Sequence, residues 1–314
     1  MSQTATEQMQ CMEVWSGSQM TAAGVAFGGL DAWVYSKPYG DAERGGDIYF
    51  ASSCATGRIT RLLLADVSGH GQKVAGTAAD LRTLMRRFVN RLDQTEFVKL
   101  LNQQFAGMTG DATFATAIVT TFFAPTARLM VCNAGHPSPL LFRAKDRQWN
   151  LLRHEETRGR GPRNLPLGIL DMTSYEQFDV ELAPGDCLLT YTDALVEARD
   201  SDGEMLDEAG LLRIVRLLGD VAPEKLIDTL LREIGERYPD NLAEDDTTVL
   251  VVRANGNQPR YSFADKCRAA LKFAGAVIRS LNPKAERPPF PDAVLANIGG
   301  ALFPALGRRW RARA

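Results

Sequence analysis

The chain is poor in the residues that build disulfide frameworks and soft-metal sites. Its 314 residues include five cysteines (Cys11, Cys54, Cys132, Cys187 and Cys267) and three histidines. The cysteine number is odd and no C-x-x-C occurs, so neither a disulfide scaffold nor a thiolate zinc site is expected. Several of the cysteines lie in apolar runs, where a reduced thiol acts as a small hydrophobe. There is no apolar run of about 18 residues, which excludes an ordinary membrane-spanning helix. The first residues, MSQTATEQMQ, have neither a basic start nor an apolar stretch, so no signal peptide is expected. These absences together lead us to expect a cytoplasmic protein. The formal net charge is only −2, so nothing global suggests nucleic acid as a partner.

That small net charge hides an asymmetry. Residues 255–314 carry eleven Lys/Arg against three Asp/Glu, a net of +8, which leaves −10 for the first 254 residues. A body from 30 to 254, a polar lead-in over 1–29 and a basic extension over 255–314 are therefore expected. In the extension, Cys267, Ala270, Leu271, Ala274, Val277, Ile278 and Leu281 share one helical face, with Lys266, Arg268, Lys272 and Arg279 mostly away from it. A basic amphipathic segment over 265–314 can lie on the inner membrane surface as a peripheral contact. The same face would equally serve docking onto the acidic body or packing in a homodimer.

Within the body, 45% apolar content overall suffices for one large core. Leu30–Ser36, Asp47–Cys54 and Arg58–Val67 read as strands. The helical spacing of Val74, Ala78, Leu81, Leu84, Met85, Phe88 and Val89 predicts a helix over 73–92, and a second is expected over 95–108. Strands follow over 113–123 and 127–133, joined by the turn APTA, then over 139–143, 149–153, 175–182 and 186–192. Two more helices are expected over 208–218 and 223–238, and a last strand over 247–252. Residues 154–164 (HEETRGRGPRN) read as an exposed loop. Clustered strands with clustered helix pairs predict an α+β fold in which two sheets are covered by helices.

Four aspartates share one context: each stands at an end of an apolar strand-like run. They are Asp47 in GGDIYF, Asp66 in LLLADVSGHG, Asp193 in LLTYTDALVEA and Asp245 in EDDTTVLVV. Each has an ordinary explanation on its own. Asp193 can cap a helix, and Asp245 with Asp246 can be a solvated turn. Taken together they suggest another. Converging carboxylates repel, and each raises the pKa of the others unless a cation lies between them. Donors that are all oxygen select a hard ion such as Mg²⁺ or Mn²⁺. Asp66 is the candidate bridging ligand, because Ser68, Gly69 and Gly71 leave the following backbone open to close approach. The Val67 carbonyl is a further candidate ligand. Ser68 in S-G-H-G lacks the G-x-S-x-G context of an activated serine.

GGDIYF, LLLADVSGHG, the stretch from ATFATAIVTTFF to NAGHPSPLLF, LPLGI, GDCLLTYTDALVEA and DDTTVLVV occur in this order and spacing. The set resembles the metal-dependent protein serine/threonine phosphatases, in their stage II sporulation protein E-like branch, over roughly residues 30–253. The resemblance implies a four-layer α-β-β-α sandwich of two antiparallel sheets flanked by helices. It implies hydrolysis of phosphoserine or phosphothreonine on proteins with two divalent cations, Mn²⁺ or Mg²⁺. By position, Asp66 with the Val67 carbonyl would bridge both ions, Asp47 would bind on one side, and Asp193 and Asp245 on the other. Asp47 and Asp66 are thus the catalytic candidates, with Asp246 in a supporting position. Two such cations about 4 Å apart acidify a bridging water and neutralise phosphoryl oxygens, so no protein nucleophile is needed. The partner implied is a phosphorylated regulatory protein, often an anti-sigma-factor antagonist.

The chain departs from the pattern in two places. Ala194 stands where a glycine usually follows the third aspartate, which would disfavour a positive φ there. Ala194 also gives the rival expectation its basis: an inactive module that keeps the fold and grips a phosphoprotein. Second, Ser68 stands where animal-type relatives place a histidine that can act as general acid. His70 lies two residues further on and is read as a loop residue. His136 in NAGHP is read as a hydrogen-bonding loop residue, not a metal ligand. Arg44, just before the paired glycines, substitutes for a phosphate-binding arginine. The helix beginning near Lys73 follows Asp66 directly, so its movement would place or withdraw that ligand.

Overall fold

The computed structural model describes residues 6–257 apart from the short stretches 10–12, 55–56, 70–71, 90, 92, 109–112, 155–161, 200–201, 239–241 and 243, together with residue 271. In chain order the elements are β1 (Thr6–Gln8), β2 (Val14–Gly17), β3 (Thr21–Ala26), β4 (Leu30–Lys37), β5 (Ile48–Ser53), β6 (Ile59–Val67), α1 (Gln72–Phe88), α2 (Gln94–Ala106), β7 (Ala115–Phe123), β8 (Arg128–Ala134), β9 (Leu140–Arg143) and β10 (Gln148–Leu151). They continue as β11 (Phe178–Glu181), β12 (Cys187–Tyr191), α3 (Asp207–Leu218), α4 (Pro223–Arg237) and β13 (Thr247–Ala254). One sheet runs β1-β3-β4-β13-β12-β9-β10 and the other β11-β8-β7-β6-β5-β2. All pairings are antiparallel except β1 on β3.

Three apolar layers hold four structural layers together, as the α-β-β-α expectation requires. Between the sheets lie Leu62, Leu64, Ile118, Phe122, Val131, Leu188, Leu250 and Val252 with their neighbours. Under α1 and α2 lie Leu63, Ala65, Val67, Val119, Leu81, Met85, Phe97 and Leu101. Under α3 and α4 lie Leu189, Tyr191, Val249, Val251, Leu211, Ile214, Leu230 and Ile234. A strand covered on both faces has no solvent side, which is why ITRLLLADV reads as a continuous apolar run and not an alternation. The helix pair α1–α2 is further tied to its sheet by Arg61. This buried guanidinium donates to Thr121 Oγ1 at 3.0 Å and to the Val89 carbonyl at 2.6 Å, and lies over the Phe97 ring.

Residues 6–26, expected from the sequence to be a polar lead-in, instead supply three strands. β3 extends the first sheet beside β4, β1 adds a parallel edge, and β2 pairs with β5. Their residues (TEQ, VWSG, TAAGVA) are short runs with few large apolar side chains, so they lack the signal that marks the central strands. The basic extension lies outside the described residues, and with it the readings of membrane contact and of a helical dimer face over 265–314. Among the described residues no helix is long and apolar enough to cross a membrane.

Candidate metal centre

The side-chain parity of the strands puts several polar residues on the same inner face at the same end of the sandwich. In β6, Leu62 and Leu64 face the inter-sheet core while Leu63, Ala65 and Val67 face the helices. Asp66 therefore continues the inner row. In β5, Tyr49 and Ala51 face inward, so Asp47, one residue before the strand, falls on that row too. Leu188 sets the same parity for Thr192, and Leu250 and Val252 set it for Thr248 and Asp246. β5 begins, β6 ends, β12 ends and β13 begins at this end of the fold. Antiparallel pairing thus brings together residues about two hundred positions apart.

Asp47 is buried, and its Oδ2 accepts a hydrogen bond from Thr192 Oγ1 at 2.9 Å. Thr248 also hydrogen-bonds it and lies 3.0 Å from Ser36 Oγ. Burial pushes the Asp47 carboxyl well above its ordinary value, and the charge of Asp66 pushes it further. Asp66 is raised to about 8, first by burial, then by Asp193, Asp245, Asp246 and Glu197. Asp193 is raised to about 6 by burial, Glu197 and Asp245. Asp66 is thus the shared member: it acts on Asp47 on one side and feels Asp193 and Asp245 on the other. None of the leading influences on these three acids is a cation.

Asp246 stands apart from the other acids. Its Oδ1 accepts from the Tyr39 N–H and its Oδ2 from the Gly46 N–H, both at 2.6 Å. Each oxygen thus helps to pin the loop that delivers Asp47, while the charge of Asp246 still acts on Asp47 and Asp66. The paired glycines are needed for close approach. A Cβ on Gly45 would lie 2.3 Å from Asp246 Oδ1, and one on Gly46 would lie 2.9 Å from the Val67 carbonyl oxygen. Asp245 is half-buried and accepts from the Asp246 N–H at 2.7 Å.

The other expected residues fall around this centre. Val67 is buried, and Ser68 is laced to the start of β7: its N–H donates to the Phe114 carbonyl and its Oγ accepts from the Phe114 N–H. Ala194 is buried in a 3₁₀ turn, Asp193–Leu195, and has no positive φ. The methyl group is therefore accommodated without backbone strain. Arg44 is exposed, and its charge, together with burial, lowers the pKa of Arg82 on α1. His136 is buried beside the centre, with Nδ1 2.8 Å from Thr116 Oγ1. His70 lies outside the described residues.

The sequence reading missed Thr192, Thr248 and Glu197. The threonines sit on inner-face positions next to Asp193 and Asp246, so strand parity was the signal available for them. Glu197 follows Asp193 by four residues in TDALVEA, a spacing that keeps two side chains close across one turn.

Among the described residues, no three carboxylate, imidazole or thiol groups are drawn close enough to cage an ion by themselves. The acids stand within electrostatic reach of one another. That arrangement suits a hard cation that keeps several waters and takes one or two carboxylates, as Mg²⁺ does. The donor set is oxygen only, and the uncompensated buried charge is what a cation would neutralise. The residues therefore fit divalent ions.

Known proteins with similar sequences and folds agree with this architecture. Two curated stage II sporulation protein E sequences align with 76% of the chain at 22% identity, from Priestia megaterium and from Bacillus subtilis (strain 168). The chain spans only 39% and 28% of their lengths. Among solved structures, the RsbU and RsbW domains of a Mycobacterium tuberculosis protein superpose with a TM-score of 0.60 at 24% identity, covering 81% of this chain and 70% of that one. The PP2C phosphatase domain with a regulatory fragment of Bacillus subtilis SpoIIE gives 0.57 at 21% identity, covering 78% and 64%. Such distant likeness establishes the fold. Residues 56–255, well over half of the chain, match the family described as Stage II sporulation protein E, and the chain belongs to that family.

Proposed function

We propose that the chain is a divalent-metal-dependent protein serine/threonine phosphatase acting on a phosphorylated regulatory protein. The observation that carries this reading is the convergence of buried Asp47 with half-buried Asp66 and Asp193 at one end of the sandwich. Burial raises the pKa of each, the charge of Asp66 adds to the shift of Asp47 and that of Asp193 to the shift of Asp66, and no cation is among their leading influences. Asp66, assisted by the Val67 carbonyl, would hold the ions together with Asp47, Asp193 and Asp245. Two Mg²⁺ or Mn²⁺ ions bound there would supply an acidified water and charge neutralisation for the phosphoryl oxygens. The chain's own residues hold the geometry. Thr192 and Thr248 orient the Asp47 carboxylate, and Asp246 fixes the loop before it. Arg44, exposed in the loop before Asp47, is the residue we propose to meet an incoming phosphate. No side-chain nucleophile is required.

Family membership supports a phosphoprotein as substrate, and an anti-sigma-factor antagonist is the specific partner we propose. The rival reading of an inactive binding module loses its basis, because Ala194 adopts an ordinary backbone conformation. The test is phosphate release from a phosphoserine protein with Mn²⁺ or Mg²⁺, run beside Asp66→Asn. Turnover that needs the cation and is lost in the variant is the expected result. Equal, cation-independent release from both would remove the proposal.

A further inference from the structure

His136 lies where the chain crosses from one sheet to the other, in the segment between the end of β8 and the start of β9. Its imidazole is buried at the metal-centre end of the sandwich. The segment is held at both sides. The Asn133 side chain accepts from the His136 N–H at 2.7 Å and donates to the His136 carbonyl at 2.8 Å, so the ring is set by its own sheet. Two residues on, the Ser138 carbonyl accepts from Tyr191 Oη at 2.8 Å, and the Ser138 N–H donates to Glu208 at 2.5 Å. Gly135 makes the turn possible: it has φ +68°, and a Cβ there would strike Pro166.

The ring touches β7 through one nitrogen and is acted on by the backbone of β12 in the other sheet. Nδ1 meets Thr116 Oγ1, and Thr116 is the register partner of Asp66 in the β6–β7 pairing. Nε2 is buried with no hydrogen-bond partner, and the Tyr191 backbone acts on the ring. Tyr191 is followed immediately by Thr192, which holds Asp47, and by Asp193. We propose that His136 is a positioning residue, a neutral imidazole wedged between the sheets that sets the separation of Asp66 from the Thr192–Asp193 corner. In this arrangement Nε2 carries the proton toward the Tyr191 carbonyl, and Nδ1 accepts from the Thr116 hydroxyl. Burial lowers the ring's pKa to about 3, so it stays uncharged at any working pH and adds no cation to compete with a bound metal.

The inference rests on the divalent-cation reading above, and its test separates the two. Mn²⁺ binding to the full chain is measured by calorimetry for wild type, His136→Phe, His136→Gln and Thr116→Val, with folding checked by circular dichroism. His136→Phe keeps the ring volume and loses both polar arms. Its Mn²⁺ affinity should fall about 10- to 100-fold, the range found when a partner behind a metal ligand is removed. Thr116→Val, which leaves the ring in place, should weaken binding in the same direction and less. His136→Gln, whose amide can reach toward Tyr191, should recover part of the loss. For the phosphoserine protein, kcat at limiting Mn²⁺ should fall while KM holds, and the pH–rate profile should keep its shape. Wild-type affinity in both His136→Phe and Thr116→Val would overturn the positioning role alone. A wild type that binds no Mn²⁺ would overturn the cation reading and this inference with it. Loss of an acidic limb near pH 6.5 in His136→Phe would overturn the positioning role in favour of proton transfer.

Discussion

Buried aspartates occur at both ends of the sandwich, and the two ends treat them oppositely. At the end where β12 and β4 begin, Asp186 is buried and fully partnered. Arg143 Nη1 lies 2.8 Å from its Oδ2, and the Ala144 and Ala183 N–H groups donate to it at 2.8 and 3.0 Å. Nearby, Asp31 pairs with Arg253 at 2.7 Å and accepts from Asn255 at 2.9 Å. At the other end, burial first and neighbouring acids second raise the pKa of Asp47, Asp66 and Asp193, with no cation among their leading influences. A buried acid with an arginine closes a turn. A group of buried acids without one stores unfavourable charge that a metal ion can release. The same residue type thus does structural work at one end and is poised for chemistry at the other.

Breaking each end should give opposite signatures. The largest effect is expected from Asp66→Asn. Phosphatase turnover should fall by more than about 100-fold, beyond what the loss of an outer-shell partner produces. The metal-free protein should at the same time melt higher than wild type, because one repelling charge is gone. Turnover assays and thermal melts on the same sample check both signs.

Next in size is a pH effect on the metal-free protein. Asp66 and Asp193 have folded-state pKa values raised to about 8 and about 6. Their contribution to stability is fully present below the ordinary carboxylate value. It is lost as pH climbs through about 6 and then about 8. Metal-free Tm should therefore drop by several degrees between pH 5 and 8.5, an effect of about a few kcal/mol. Saturating Mg²⁺ or Mn²⁺ at pH 8 should restore it, and Asp66→Asn should flatten the curve. A metal-free Tm that rises over this window would contradict the charge arrangement.

At the partnered end, Asp186→Ala should cost about 2–3 kcal/mol of stability, because two N–H groups and Arg143 lose their acceptor. Mn²⁺ affinity should be unchanged, since the two ends are separated by the length of the strands. Denaturant titration and calorimetry test the pair of outcomes. Smallest is Ala194→Gly, which places the usual glycine at this position. The existing φ does not need it, so the change should cost about 0.5–1 kcal/mol through the looser unfolded chain and leave metal affinity within about twofold. A large gain in affinity would show that the methyl group does constrain Asp193.

Much of this was readable before any fold was known. The central strands announced themselves because they are apolar on both faces, and each helix because its apolar residues recur with helical spacing. The strands β1–β3 did not, since TEQ, VWSG and TAAGVA carry too few large apolar residues to make a pattern. Asp245 and Asp246 looked equivalent in EDDTTVLVV. Only the approach of Tyr39 and Gly46 separates them, by taking both oxygens of Asp246. Strand parity alone did not single out Thr192 and Thr248, because a threonine at a strand end has many ordinary uses until a buried carboxylate is found against it.

The sequence by itself determined the two-sheet, two-helix-pair composition and the identity of the acids at the strand ends. Continuous apolar runs and helical periodicity are local properties, written within a few residues. Tertiary structure decided which acids share one charge environment, which are already neutralised by arginine, and that His136 stands between the sheets. Those outcomes depend on strand order and on register between segments far apart in the chain. Both are set by how the sheets close over a common core, and no short stretch of sequence carries them.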